Sequence, residues 1–66
     1  MGAKSILTAI IVDDEELARE DLKFVLNEFP NINFVGEAKN IHEAVDLLKK
    51  ENPSIVFLDI KLRSEN

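Results

Sequence analysis

The sequence predicts an α/β domain built on a parallel sheet, and three observations predict it. Short β-branched runs alternate with stretches of helical periodicity in the order strand, helix, strand, helix, strand. The first and third runs are apolar at nearly every position rather than at alternate ones, as in strands covered on both faces. Both of these runs stop at aspartate, one at Asp13-Asp14 and the other at Asp59.

Residues 6–12 form the first strand, closed by the acidic block Asp13-Asp14-Glu15-Glu16. A helix is expected over residues 15–29, because Ala18, Leu22, Val25 and Phe29 repeat at helical spacing while Glu16, Arg19, Glu20, Lys23 and Asn27 take the opposite side. Its acidic first turn suits the positive end of the helix dipole, and Pro30 ends it. Residues 32–37 read as a short second strand, weakened by Gly36. Asn40 and Glu43 resemble a capping box, and Ile41, Ala44, Val45 and Leu48 then mark a second helix over residues 41–51. Asn52-Pro53 breaks it, and residues 55–58 form a third strand expected to be fully buried. Connections of this kind are right-handed crossovers between parallel strands.

A chain of 66 residues has room for one core, so residues 1–66 are one unit rather than two domains. Its 45% hydrophobic and 32% charged content argues against disorder, and the absence of cysteine removes the usual staple of small folds. A net charge of −5 disfavours direct contact with nucleic acid or an anionic membrane and favours a cation. The sequence holds no apolar run long enough to span a bilayer and no signal-peptide pattern at its start, so a cytoplasmic location is the default expectation.

In open parallel sheets, ligands gather at the carboxyl ends of the strands, which places Asp13, Asp14 and Asp59 together. Three adjacent carboxylates repel one another unless a hard cation sits among them, and an all-oxygen set selects Mg²⁺, Mn²⁺ or Ca²⁺. A strand-end carboxylate beside Mg²⁺ is also a workable nucleophile toward phosphorus, giving an aspartyl phosphate. One aspartate after a strand is more often a cap or a solubilising group than a ligand, but two such sites at the same rim reverse that balance.

The segments Ile11-Val12-Asp13-Asp14-Glu15, Val35-Gly36-Glu37-Ala38 and Ile55-Val56-Phe57-Leu58-Asp59-Ile60 resemble, in order and spacing, the receiver domains of two-component response regulators. The resemblance covers nearly the whole chain, and Glu16-Leu17-Ala18-Arg19 is similar to receivers that precede LytTR-type DNA-binding domains. It implies a flavodoxin-like (CheY-like) sheet limited here to β1-α1-β2-α2-β3. It also implies that Asp59 is the phosphoacceptor, that Asp14 binds Mg²⁺ directly, that Asp13 holds the ion through water, and that Lys61 lends its backbone carbonyl. The implied partner is a histidine kinase. The chain is then a signalling module and not an enzyme in its own right, and phosphorylation shifts it between two conformations.

Receivers have five strand-helix units, and the resemblance reaches only into the loop after the third strand. The family's hydroxyl residue after strand four and its aromatic and lysine of strand five have no counterpart here. Lys61 lies too near Asp59 along the chain to replace that lysine, and Arg63 stands where the family usually has proline. His42 belongs to the polar side of the second helix and is expected to be a surface residue.

In the strand order 2-1-3-4-5 of such folds, the third strand is left as an open, apolar edge, from which a homodimer or larger assembly is expected. The competing reading is therefore a catalytically incompetent half-receiver that serves as a self-associating interaction unit. A haloacid-dehalogenase-type phosphatase fits less well, because its second aspartate would fall on Lys61, or on Glu15 if Asp13 is the nucleophile. Neither Gly2 nor Gly36 lies in a glycine-rich phosphate loop, which disfavours a nucleotide enzyme.

Overall fold

A computed structural model describes residues 5–59 of the chain. The elements follow in the order β1 (Leu7–Val12), α1 (Glu16–Leu26), β2 (Ile32–Ala38), α2 (Ile41–Glu51) and β3 (Ile55–Leu58). The strands form one parallel sheet in the order β2-β1-β3, as the α/β, CheY-like reading implies. Central β1 is covered on both faces: Ala9, Ile10, Ile11 and Val12 are all buried, in agreement with its unbroken apolar run.

The two helices lie on opposite faces of the sheet. On β2, Glu37 bonds to Arg19 and Lys23 of α1, while the alternate residue Ala38 joins Ile10, Val12 and Ala44 in the core cluster beneath α2. The pairing register shifts between Ala9 and Ile10, which oppose Phe34 and Gly36 respectively, so Val35 is an extra residue in β2. Val35 and Leu47 complete the α2-side cluster.

Gly36 weakens the strand as a propensity but serves the packing. A Cβ at this position would stand 2.8 Å from Leu47 Cδ1, so any larger residue would force the Leu47 side chain of α2 to shift. The start of α2 is capped as its sequence suggests: Asn40 Oδ1 accepts from the Glu43 amide at 2.8 Å. The return bond of the box is displaced by one residue, since Glu43 Oε1 accepts from the Lys39 amide and not from that of Asn40. The helix ends at Asn52, which takes the left-handed conformation (φ 46°) and donates its amide to the Leu48 carbonyl.

Three expectations need correction. First, α1 ends at Leu26 rather than at residue 29, because the amides of Glu28 and Phe29 bond three residues back, to Val25 and Leu26, and tighten the last turn. Second, its inward face is turned from the expected stripe. Leu26 is buried and Ala18 and Leu22 are half-buried, whereas Val25 and Phe29 are each 48% exposed. The rotation brings Arg19 and Lys23 toward Glu37, exchanging some apolar burial for ionic contacts. Third, β3 is half-exposed rather than fully buried. Val56 and Leu58 are 42% and 58% exposed, because among the described residues β3 pairs only with β1, and α2 packs over β2 and β1. Among the described residues no helix is long and apolar enough to cross a membrane.

Candidate functional site

Register alone brings the acids together. Val12 pairs with Leu58, so the next residues, Asp13 and Asp59, leave the sheet side by side at its carboxyl rim. The ladder continues one step past each strand, with the Asp59 amide donating to the Val12 carbonyl at 3.1 Å and the Asp13 amide to the Ala38 carbonyl at 3.0 Å. Asp13 is thereby fixed between β2 and β3. Its Oδ1 accepts from the Glu15 amide at 3.0 Å, turning the chain from strand into helix. Glu15, at the N-cap of α1, makes no side-chain capping bond of its own.

One carboxylate oxygen from each of Asp13, Asp14 and Asp59 falls within 4.8 Å of the others. Asp14 is exposed, while Asp13 and Asp59 are half-buried beside an open hollow of about 270 Å³ lined by Ile11, Leu22 and Phe57. The donor set suits a hard divalent cation: an octahedral ion with ligands at about 2.1 Å sets neighbouring oxygens roughly 3 Å apart and opposite ones about 4.2 Å apart. Lys61, the fourth expected contributor, lies outside the described residues. His42 is exposed on α2, 4.0 Å from Asp46, as expected of a surface residue.

A second group of charges, passed over in the sequence, stands behind the acids. Arg19 Nε donates to Glu37 Oε1 at 2.8 Å, and Lys23 Nζ reaches Glu37 Oε2 at 3.1 Å and Glu20 at 2.8 Å. Lys23 also sits 5.7 Å from the centre of the Phe34 ring. Arg19 Nη1 extends the network to the rim by donating to the Asp13 carbonyl at 2.7 Å. A basic pair at i and i+4 on α1 and a lone glutamate inside β2 were the available signals. What was missing was that the extra residue in β2 breaks the alternation from which the glutamate's face would be read.

Burial pushes the Glu37 carboxyl up, but hydrogen bonds from Lys23 and Arg19 outweigh it and hold the group below its ordinary value. Hydrogen bonds to Glu20 and Glu37 push Lys23 up. A depressed carboxyl stabilises the fold above its unfolded pKa and loses that contribution as pH falls through the folded one. We therefore expect Glu37→Gln to lower thermal stability at neutral pH by about 1 kcal/mol, the scale of an exposed ion-pair network. The gap to wild type should close as pH falls below about 4.5, the ordinary carboxyl value. Thermal melts followed by circular dichroism from neutral to acid pH check this, and a gap that stays constant with pH refutes it.

The family model for the response regulator receiver domain matches residues 9–66. The chain is 43% identical over 61 residues to the sensory transduction protein LytT of Bacillus anthracis, covering 92% of this chain and 25% of that protein. It is 45% identical over 60 residues to the sensory transduction protein LytR of Staphylococcus haemolyticus, covering 91% of this chain and 23% of the relative. With the transcriptional regulatory protein LytR of Staphylococcus aureus, it shares 40% identity over 60 residues, again 91% of this chain and 24% of the relative. The chain thus spans about a quarter of the length of the curated relatives it matches. The match runs through β1, β2 and β3 and includes both acidic strand ends, so this chain belongs to the response regulator receiver family.

Proposed function

We propose that the chain is a phosphoacceptor signalling module that binds Mg²⁺ at its acidic rim and takes a phosphoryl group on Asp59 from the phosphohistidine of a histidine kinase. The observation that carries this reading is the convergence of Asp13, Asp14 and Asp59 at one rim of a parallel sheet. Asp14, exposed at the rim, would ligate the ion directly, Asp13 would hold it through water, and Asp59 and the Lys61 backbone carbonyl would complete the protein's share. An ion held there would screen the negative charge of both the acceptor and the incoming phosphoryl group.

Asp59 suits the acceptor role because its backbone is held by the ladder bond to Val12 while its side chain borders the open hollow. In the transfer, a carboxylate oxygen of Asp59 bonds to phosphorus as the phosphorus–nitrogen bond of the donor breaks, and the leaving imidazole keeps the electron pair and is protonated. The module is consumed stoichiometrically in that step and is not itself an enzyme. The names of its longer relatives, sensory transduction and transcriptional regulatory proteins, support coupling to an output region of LytTR type. The test exposes the intact chain to acetyl phosphate with Mg²⁺ and weighs it. A mass gain of one phosphoryl group supports the proposal, and an unchanged mass counts against it.

Self-association is a second reading, favoured by the one-sided pairing of β3 among the described residues and by exposed Val56 and Leu58. A second copy adding a strand along β3 would cover both side chains. Sedimentation that shows a monomer across the micromolar range removes this reading.

A further inference from the structure

We infer that Arg19 is a positioning residue for the acidic rim: its guanidinium, anchored on Glu37, grips the Asp13 carbonyl and holds the Asp13-Asp14 turn in the geometry that receives a cation. This rests on the reading of the rim as a cation site.

The fork of Arg19 bridges two elements. Nε takes Glu37 Oε1 of β2 at 2.8 Å, while Nη1 takes the Asp13 carbonyl at 2.7 Å, and the side chain is only 14% exposed. A planar guanidinium has donors at fixed angles and can set the spacing of two acceptors, which the single nitrogen of lysine cannot. The Asp13 amide is already committed to Ala38 and its Oδ1 to Glu15, so Arg19 adds the remaining restraint on the peptide that leads into Asp14. Lys23 meets the other oxygen of Glu37, apart from the one that Arg19 holds.

Electrostatics alone gives this arginine the opposite effect. A fixed positive charge beside a cation site repels the cation, so removing it should tighten binding. Positioning demands that removing it weaken binding, and the sign separates the two.

The test titrates Mn²⁺ into the intact chain and reads free metal by electron paramagnetic resonance. Arg19→Gln should bind about ten-fold more weakly than wild type, the scale on which outer partners of metal ligands act. Arg19→Lys, which keeps the charge but not the fork, should also weaken binding. Lys23→Gln removes the same charge and one bond to Glu37 without touching Asp13, and should bind as wild type or more tightly. Equal or tighter binding by Arg19→Gln overturns the inference, and Arg19→Lys decides the matter where the glutamine variant loses its helical signal. Failure of the wild type to bind Mn²⁺ would sink the cation-site reading instead.

Hydrogen exchange on the metal-free chain then judges Arg19 independently. The Glu15 amide, bonded to Asp13 Oδ1, should exchange about ten-fold faster in Arg19→Gln and unchanged in Lys23→Gln. Unaltered protection of that amide in Arg19→Gln overturns the inference whatever the metal does.

Discussion

Replacing Asp59 with asparagine should abolish the gain of one phosphoryl mass when the chain meets acetyl phosphate and Mg²⁺, while leaving the fold in place. Asparagine keeps the size and shape of the side chain but exchanges a nucleophilic carboxylate oxygen for an amide. The backbone bond from residue 59 to the Val12 carbonyl does not depend on the side chain and survives. Removing one of three clustered carboxylates also relieves like-charge repulsion, so the melting temperature without metal should hold or rise. Mass spectrometry of the intact chain, with circular dichroism as the control, reads both effects. Persistent phosphorylation of a folded Asp59→Asn chain would move the acceptor to Asp13, Asp14 or elsewhere and end the proposed assignment.

Asp14→Ala should weaken Mg²⁺ or Mn²⁺ binding by at least the roughly 10–100-fold that losing an outer partner of a ligand costs, since here the ligand itself is removed. Asp14 is exposed and leaves no buried gap when shortened, and its loss relieves the same repulsion, so stability in chelator should hold or rise. The chain contains no tryptophan or tyrosine, which makes metal-centred detection preferable to intrinsic fluorescence. If wild type and Asp14→Ala bind metal equally well, the converging carboxylates are not the cation site, however close together they lie.

Much of this arrangement was legible in the sequence because its signals are local. Apolar runs ending in aspartate gave β1 and β3, and right-handed crossovers put their ends at one rim, which the Val12–Leu58 pairing bears out. The second helix was readable to the residue, since Asn40 and Asn52-Pro53 punctuate both of its ends. The face of α1 was not legible. Periodicity ranks residues by hydropathy, and it assigned Arg19 and Lys23 to solvent when an acid on the neighbouring strand draws them inward. The half-exposure of β3 follows from which strands flank it and how far α2 reaches, neither of which a run of β-branched residues encodes.

The extra residue at Val35 bears on how this family can vary. Side chains alternate across a strand and the extra residue takes up one step of that alternation, so deleting Val35 would leave Phe34 opposite Ala9, Gly36 opposite Ile10 and Glu37 opposite Ile11, with the carboxylate still on the α1 side. Arg19 would keep its anchor, and the core beneath α2 would lose the apolar contact of Val35. For this stretch the pairing with β1 matters more than the count of residues: Gly36 and Glu37 keep their faces through their partners Ile10 and Ile11, and the residue between Phe34 and Gly36 is the one that can be spared.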